Sequence, residues 1–361
     1  SSMGQGCDCA KFQLPEVVGL PHAPSIAADE DNQVLDAAVS SRNLRQHREG
    51  SVKEREQAVQ AYYSWASIRR LVEKREFASP PDLVLLRGTW LCEQTRPLPP
   101  RQGLEEASVW DETDLFDRSG CPVMTLVSVS HPWLTQEHPD PNGNMRQFLT
   151  SVITAAGENF AIFYDWCSLY QDKRSPLEEK AYQRCLDSMG LIYGHPEIHK
   201  WLLTALPASW AAKPLCDRGW PTFEIEMARM NMYDSTVLDL GQLSENEIKR
   251  RIFDYDRLRK VCSLPIKPPM SPLEFGREVR KKKFGVPSDQ TVVVKAYHRA
   301  FDVVWCANTK LNYSALEWTD EDVTRLAYVL RDAAEALALQ DLDLHRNAFG
   351  DVGVFELAAA L

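Results

Sequence analysis

Two short apolar runs, each ending in a polar cluster, most strongly constrain the fold of this chain. Residues 123–130 include five apolar side chains among eight, and residues 160–164 are almost wholly apolar. Runs without alternation are typical of strands that helices cover on both faces, as in parallel sheets. Apolar residues at helical spacing follow each run, and further strands are predicted near residues 198–203 and 235–240. This alternation predicts βαβ units and a doubly wound α/β sheet.

Chemically capable side chains follow the first two predicted strands. Ser130, His131 and Trp133 come at the end of the first strand, and Asp165 and Trp166 directly follow the second. Ligands of doubly wound sheets bind beyond the carboxyl ends of the strands, so these residues form the candidate binding site. A structural role remains open for each of them, because an aspartate here also suits an Asx turn and a single histidine is more often structural.

The helix predicted to begin near Trp220 carries the candidate catalytic residue. Its apolar stripe consists of Trp220, Phe223, Met227 and Met230. Glu224 lies one turn from Trp220 and flanks this stripe, so its carboxyl group is expected to be partly desolvated, with a raised pKa. Raised pKa values are common among acid–base and nucleophilic carboxylates. Glu226 is expected to face solvent, and the alternative for Glu224 is a structural carboxylate at the helix start.

Composition and motif content argue against several functional classes. The net charge of −10 argues against general nucleic-acid binding. No apolar run reaches the ~20 residues of a membrane-spanning helix, and nine cysteines without regular spacing indicate reduced, intracellular thiols. His195 and His199 are separated by Pro196 and lack an obvious third ligand, so no metal site is predicted. Motifs for ATP or dinucleotide cofactors are absent from the sequence, and we expect a cytoplasmic protein without a resident cofactor.

The N-terminal residues contain a Met-Gly dipeptide followed by two cysteines. Lipidation of Gly4, Cys7 and Cys9 would give the two signals that hold a protein on a membrane. Asp8, however, stands where the myristoylation motif has Ser or Thr. We therefore expect residues 1–45 to be a disordered leader, with membrane association only if these three residues are lipidated.

The C-terminal residues resemble a leucine-rich repeat of the ribonuclease-inhibitor kind. Leu342 and Leu344 form a Leu-x-Leu strand, Asn347 the turn, and residues 357–361 an Ala/Leu helix, with an earlier echo over residues 320–330. Because a solenoid core takes ~3 repeats, the repeat region is expected to be truncated. A lone pair of amphipathic helices is the alternative.

Three motifs of the central region together resemble the Toll/interleukin-1 receptor (TIR) superfamily, and most closely the divergent TIR-like domains of protists and algae. They are Ser-His-Pro-Trp-Leu at 130–134 with His-Pro-Asp-Pro at 138–141, Asp-Trp-Cys-Ser-Leu-Tyr-Gln at 165–171, and Arg-Gly-Trp-Pro-Thr-Phe-Glu at 218–224. The resemblance spans residues 123–240 and implies a flavodoxin-like sheet with helices on both faces. In enzymatic TIR domains, the Glu of a Trp-Cys-x-x-Glu helix supports cleavage of NAD at the nicotinamide–ribose bond. Glu224 matches that position, although Pro221 replaces the usual Cys.

The resemblance implies an intracellular signalling or sensor protein that uses NAD as a substrate. Glu224 would be catalytic, and the substrate would be bound by Ser130, His131, Trp133, Asp165, Trp166 and Trp220. One alternative is a non-catalytic TIR-like scaffold that self-associates into homo-oligomers, with the repeats binding protein partners. The other is a nucleoside- or nucleotide-processing transferase with Glu224 as nucleophile. A pocket beside Glu224 would favour the enzymes, and a filled, apolar strand end would favour the scaffold.

The chain is thus predicted to contain five segments. They are the leader (1–45), a helical N-terminal segment (46–120), the TIR-like α/β domain (121–242), a helical linker (243–318) and the start of the leucine-rich repeats (319–361). A helix over 52–77 and a short strand within 82–91 are expected before the α/β domain. After it, we expect one charged helix over 245–261, a helix from 272 and another over 289–305.

Overall fold

A computed structural model describes most of the chain from residue 57 onward. The described residues are 57, 60–74, 80–157, 159–210, 217–230, 236–305, 309–334, 337 and 339–361. The predicted leader, with Gly4, Cys7 and Cys9, lies outside the described residues.

The described residues form an α/β fold around a five-stranded, mostly parallel sheet. Its strands are β1 (Leu86–Arg87), β2 (Leu126–Ser130), β3 (Ala161–Tyr164), β4 (His199–Leu202) and β5 (Val237–Asp239). They are ordered β1-β3-β2-β4-β5; all neighbours are parallel except β1, which runs antiparallel to β3. The chain leaves β2 toward β3 and then crosses to the other side of β2 for β4. Strand order therefore reverses beside β2, where doubly wound sheets bind ligands.

The four predicted parallel strands are confirmed, and the fifth strand precedes them in sequence. The expected short strand within residues 82–91 is β1, where Leu86 lies opposite Ile162 of β3. β2 is buried along its whole length, as its largely apolar, Val-rich sequence predicts.

Helices cover both faces of the sheet. In chain order they are α1 (Trp65–Val72), α2 (Gly88–Glu93), α3 (Glu112–Leu115), α4 (Asn144–Ala156), α5 (Asp165–Ser168), α6 (Pro176–Gly194), α7 (Gly219–Met230), α8 (Glu245–Arg250), α9 (Tyr255–Cys262), α10 (Pro272–Val279), α11 (Asp289–Val304), α12 (Asp320–Ala333) and α13 (Asp351–Ala358). Helices α4 and α9 share one apolar core with the β2 side chains Val127 and Val129. Helices α6, α7, α10, α11 and α12 share the core on the other face, with Leu126 and Phe163.

The predicted single helix over residues 245–261 is wrong, because the chain forms the two helices α8 and α9. Helix α8 ends at Arg251, whose φ of 54° is left-handed. The side chain of Asp254 then caps α9 by accepting a hydrogen bond from the Arg257 N–H. Between them, the Phe253 ring packs edge-on against Phe148 of α4, with centroids 5.7 Å apart. The cap and this aromatic contact together favour a break over a continuous helix.

The C-terminal residues form two strand–helix units side by side. Strands β6 (Lys310–Asn312) and β7 (Asp341–Asp343) are parallel, with Lys310 opposite Asp341, and α12 and α13 follow them. The Asn347 side chain accepts hydrogen bonds from the Leu316 and Trp318 N–H groups and donates to backbone carbonyls of both units. Two units are seen within the described part of the chain, and they do not make a repeat solenoid.

None of the helices that the structure describes combines the length and apolar character needed to cross a bilayer.

Candidate functional site

The carboxyl ends of β2 and β3 bring together residues from three parts of the chain. Ser130 is the last residue of β2, His131 follows it, and Asp165 is the first residue of α5, directly after β3. Glu224, in the second turn of α7, lies close enough to this end of the sheet for its charge to act on His131 and for the charges of His131 and Asp165 to act on it.

The start of α7 is fixed by close backbone packing. Gly219 donates its N–H to the Lys283 carbonyl at 3.0 Å. A Cβ at Gly219 would lie only 1.8 Å from the Phe284 ring, so a side chain here would displace that ring. This packing sets where α7 begins and therefore which of its residues faces the strand ends.

His131, which is buried, and Asp165, which is partly exposed, form an ion pair. His131 Nε2 lies 2.8 Å from Asp165 Oδ1, and Nδ1 faces the Pro132 carbonyl at 3.3 Å, so both ring nitrogens have acceptors. The imidazole also stacks on Tyr164, with centroids 4.1 Å apart. Burial alone would lower the pKa of His131, but the charge and hydrogen bond of Asp165 outweigh it and raise that pKa above its ordinary value. The arrangement therefore favours the doubly protonated imidazolium.

Asp165 is held as a carboxylate by three donors. Besides His131, its oxygens accept hydrogen bonds from the Trp133 indole N–H, at 3.1 Å, and from the Trp166 backbone N–H. Burial would raise the pKa of Asp165, but the His131 charge and these hydrogen bonds lower it below its ordinary value. Its side chain keeps 28% of its surface exposed, so this carboxylate is the part of the cluster that reaches solvent.

Glu224 is a buried carboxyl group that pairs with no lysine or arginine among the described residues. It is 7% exposed, and burial raises its pKa to about 7; the negative charge of Asp165 adds to this shift. The hydroxyls of Ser130 and Tyr193, together with His131, offset part of it. The Tyr193 hydroxyl also lies 3.2 Å from the Val129 carbonyl, to which it can donate. The site thus stabilises the neutral form of this carboxyl group below about pH 7.

Trp133 and its loop close over the cluster. The Trp133 carbonyl accepts a hydrogen bond of 2.7 Å from Arg218, the residue just before α7. The Trp133 ring packs edge-on against Trp166, with centroids 5.5 Å apart. Ser130, His131 and Glu224 are all buried, so the strand end is filled but polar.

Five of the seven predicted site residues meet in this cluster: Ser130, His131, Trp133, Asp165 and Glu224. Trp166 lines its edge but donates its indole N–H to the Leu98 carbonyl, at 2.9 Å. Trp220 is directed to α11, where its indole N–H donates to Asp289 at 2.8 Å.

Tyr193 belongs to the cluster but was not predicted. It lies four residues after Met189, so it continues the apolar stripe of α6 and could have been found from helical spacing.

The prediction that Glu226 faces solvent is wrong. Glu226 is 2% exposed and pairs with Arg229 at 2.6 Å and with Arg325 of α12 at 3.4 Å. Helix α7 is covered by the sheet on one side and by the C-terminal helices on another. Glu226 lies outside the apolar stripe of α7, but this second cover buries it.

Within the described ranges, no group of three or more His, Cys, Asp and Glu side chains is arranged to hold a metal ion. Scans against protein-family models, curated proteins and solved structures find no match to the chain. The comparisons therefore assign no family to this α/β domain.

Proposed function

We propose that the α/β domain is a flavodoxin-like, TIR-like domain that hydrolyses NAD at the nicotinamide–ribose bond, within an intracellular signalling protein. The observation that carries the proposal is a pair of carboxyl groups at the strand ends whose pKa values shift in opposite directions. Asp165 is held ionised, whereas burial raises the pKa of Glu224 to about 7. Environments that separate two such pKa values are a common property of acid–base sites.

The chemistry requires negative charge beside a ribosyl centre that becomes positive. As the bond to nicotinamide breaks, C1′ acquires oxocarbenium character and nicotinamide leaves as a neutral base. Ionised Glu224 would stabilise that charge or accept a hydrogen bond from a ribose hydroxyl. Water then adds at C1′ and releases a proton, which gives ADP-ribose. Because the carboxylate is the active form, we expect kcat/KM to rise with pH through about 7.

The site also suggests roles for the residues around Glu224. Asp165 and the Trp133 ring would line the substrate site, and His131 would hold Asp165 in place through their 2.8 Å contact. Arg218 would set the closed position of the Trp133 loop, which excludes water from the reacting centre.

The test is nicotinamide release from NAD by the full chain, free and artificially clustered. Glu224→Gln keeps the shape but removes the charge, and it is expected to lower kcat/KM by at least about 100-fold. Glu197→Gln is the matched control, because Glu197 is exposed and outside the cluster. Release that disappears only in Glu224→Gln supports the proposal, and no release from a folded, clustered sample contradicts it.

A non-catalytic scaffold is the second candidate, and the C-terminal units favour it. Val354 and Leu361 of the second unit are 52% and 79% exposed. Val323 and Leu330 hold the equivalent positions of the first unit and are 0% and 2% exposed. The second unit therefore lacks the cover that it gives to the first, and its exposed apolar side chains could contact a protein partner. Self-association of the chain without NAD turnover would support a TIR-like assembly module.

A further inference from the structure

Helix α10 and the turn after it carry a dense cluster of cations. Residues 272–286 contain five lysines and arginines but only two glutamates, in a chain whose net charge is −10. We call residues 272–286 the basic segment. Its cations are Arg277, Arg280, Lys281, Lys282 and Lys283.

The packing of α10 turns one basic face toward solvent. Leu273, Arg277 and Arg280 follow one another at intervals of four and three residues, so they lie on one side of the helix. Both arginines are exposed, and Leu273 is 48% exposed. Phe275 and Val279, on the other side, are fully buried in the core. The basic face is therefore held outward by the same contacts that hold the helix in place.

The turn after α10 adds a third exposed cation. Lys283 donates its N–H to the carbonyl of Asp217, just before α7, at 2.9 Å, and its own carbonyl accepts from the Gly219 N–H at 3.0 Å. Its backbone is thus bonded on both sides to the start of α7. The neighbouring side chains of Lys282 and Phe284 are half-buried, whereas the Lys283 side chain is exposed.

The cations of the basic segment outnumber the carboxylates that could neutralise them. Glu278 pairs with Lys281 at 2.9 Å and with Lys282 at 2.5 Å. Glu274 is half-buried, and the cation that acts on it most strongly is Arg325 of α12. The Asp-Arg pair that precedes α7 adds one charge of each sign. Three cations are left without a carboxylate partner among the residues that the structure describes: Arg277, Arg280 and Lys283.

We propose that the basic segment binds an anionic membrane surface. Arg277, Arg280 and Lys283 would contact the anionic headgroups, which attract clustered cations near the surface. Leu273 and Val286, 48% and 55% exposed toward the two ends of the segment, would enter the headgroup layer. The exposed side of a helix is convex, so it suits a flat surface. An anionic membrane accounts for both the cations and the exposed apolar side chains, whereas a nucleic-acid backbone would account for the cations alone.

This contact requires no lipid on Gly4, Cys7 or Cys9 and does not depend on NAD hydrolysis. Because Lys283 is bonded to the start of α7, the contact would place that end of α7 beside the membrane.

The first test is co-sedimentation of the full chain with lipid vesicles. The chain is produced in bacteria, without N-terminal acylation, and its mass is verified. Vesicles in which about one lipid in three is phosphatidylserine, the rest being phosphatidylcholine, are compared with vesicles of phosphatidylcholine alone. We expect binding only to the anionic vesicles, and its loss as salt rises from about 0.1 M to about 0.5 M, because exposed charges are screened. No binding to anionic vesicles would overturn the proposal and leave an acidic protein as the occupant.

The second test removes the unpaired cations. Arg277→Gln, Arg280→Gln and Lys283→Gln are each expected to lower the partition coefficient for anionic vesicles about fivefold, and the triple variant about 100-fold. Val286→Ser should lower it about threefold, because less apolar surface enters the headgroup layer. All four side chains are exposed, so circular dichroism and urea midpoints should stay unchanged.

The matched control is a triple variant with the same change in net charge. Arg96→Gln, Arg250→Gln and Lys260→Gln replace exposed cations on segments that pack on the other face of the sheet. This variant should bind anionic vesicles within about twofold of the wild type. An equal loss in both triple variants would assign binding to net charge and overturn the role of the basic segment.

Discussion

Helix α7 carries two buried carboxylates, two residues apart, in opposite electrostatic surroundings. Glu226 faces the C-terminal units and lies between Arg229 and Arg325. Glu224 faces the strand ends, and no lysine or arginine of the described part of the chain pairs with it; the nearby His131 is bonded to Asp165. A compensated charge joins two elements, whereas an uncompensated one costs folding free energy. Unpaired buried charged groups are therefore strong candidates for functional residues.

The largest expected effect is the loss of the compensated carboxylate. Glu226→Ala leaves Arg229 and Arg325 without their acceptor and opens space between α7 and α12. We expect the free energy of unfolding to fall by about 3–4 kcal/mol, measured by urea denaturation of the full chain. Glu197→Gln should change it by less than about 0.5 kcal/mol. A loss below about 1 kcal/mol in Glu226→Ala would mean that this contact does not hold α12 to the α/β domain.

For Glu224, the uncompensated carboxylate, we expect removal of the charge to raise the free energy of unfolding instead of lowering it. The pKa of Glu224 is about 7 in the folded protein and near 4.5 when unfolded. Between these values the folded state binds more protons, so stability falls as pH rises, and the penalty is complete above pH 7. Glu224→Gln should therefore stabilise the protein by about 2–3 kcal/mol at pH 8 and by much less at pH 4.5.

The measurement for Glu224→Gln is urea denaturation at both pH values. An equal effect at pH 8 and pH 4.5 would contradict the raised pKa. Higher stability together with lost NAD hydrolysis would show that the buried charge is retained for activity.

The strands and the polar cluster at their ends were predictable because their signals are local. Largely apolar runs identified β2 and β3, and the residues that end them necessarily lie at one edge of a parallel sheet. Ser130, His131 and Asp165 meet for that reason. The position of Glu224 followed from helical periodicity, which placed it beside the stripe that faces the core.

The surroundings of Glu226 could not be predicted in the same way. Periodicity shows which face of a helix is most apolar, but it does not show that a second layer covers another face. Besides Arg229, one turn away, Glu226 pairs with Arg325, which lies 99 residues further along the chain. The direction of Trp220 depends likewise on Asp289 of α11, which no local pattern connects to α7.

Lys200 extends the comparison to a buried cation that has no carboxylate partner in the part of the chain that the structure describes. It is fully buried in β4, its ammonium donates to the His195 carbonyl after α6, and burial lowers its pKa to about 7. The unfolded value is near 10.5, so the penalty is complete below pH 7 and is relieved as pH rises toward 10.5. Lys200→Met should stabilise the protein by about 2 kcal/mol at pH 6, after the lost hydrogen bond is subtracted.

Thermal or urea unfolding of Lys200→Met and of the wild type at pH 6 and pH 10 tests whether the substitution stabilises the protein as expected. The gain should shrink at the higher pH, where wild-type Lys200 is already neutral in the folded state. A gain that does not depend on pH would assign the effect to packing alone.

The smallest expected effect concerns Asp165, the paired carboxylate beside Glu224. Its pKa is lowered from 3.8, so its contribution to stability is lost as pH falls through the folded value. The pKa of His131 is raised from 6.5, so its contribution is complete below pH 6.5 and is lost as pH rises through the folded value. The ion pair therefore stabilises the fold most between about pH 4 and 6.5. Asp165→Asn should lower the free energy of unfolding, measured by urea denaturation, by about 1 kcal/mol at pH 5.5 and by less at pH 8.5.

The same variant should also lower the pKa of Glu224, because one nearby negative charge is removed, and the rise of kcat/KM should shift to lower pH. An unchanged pH profile of kcat/KM would mean that the charge of Asp165 does not affect Glu224 and that burial alone raises the pKa of Glu224.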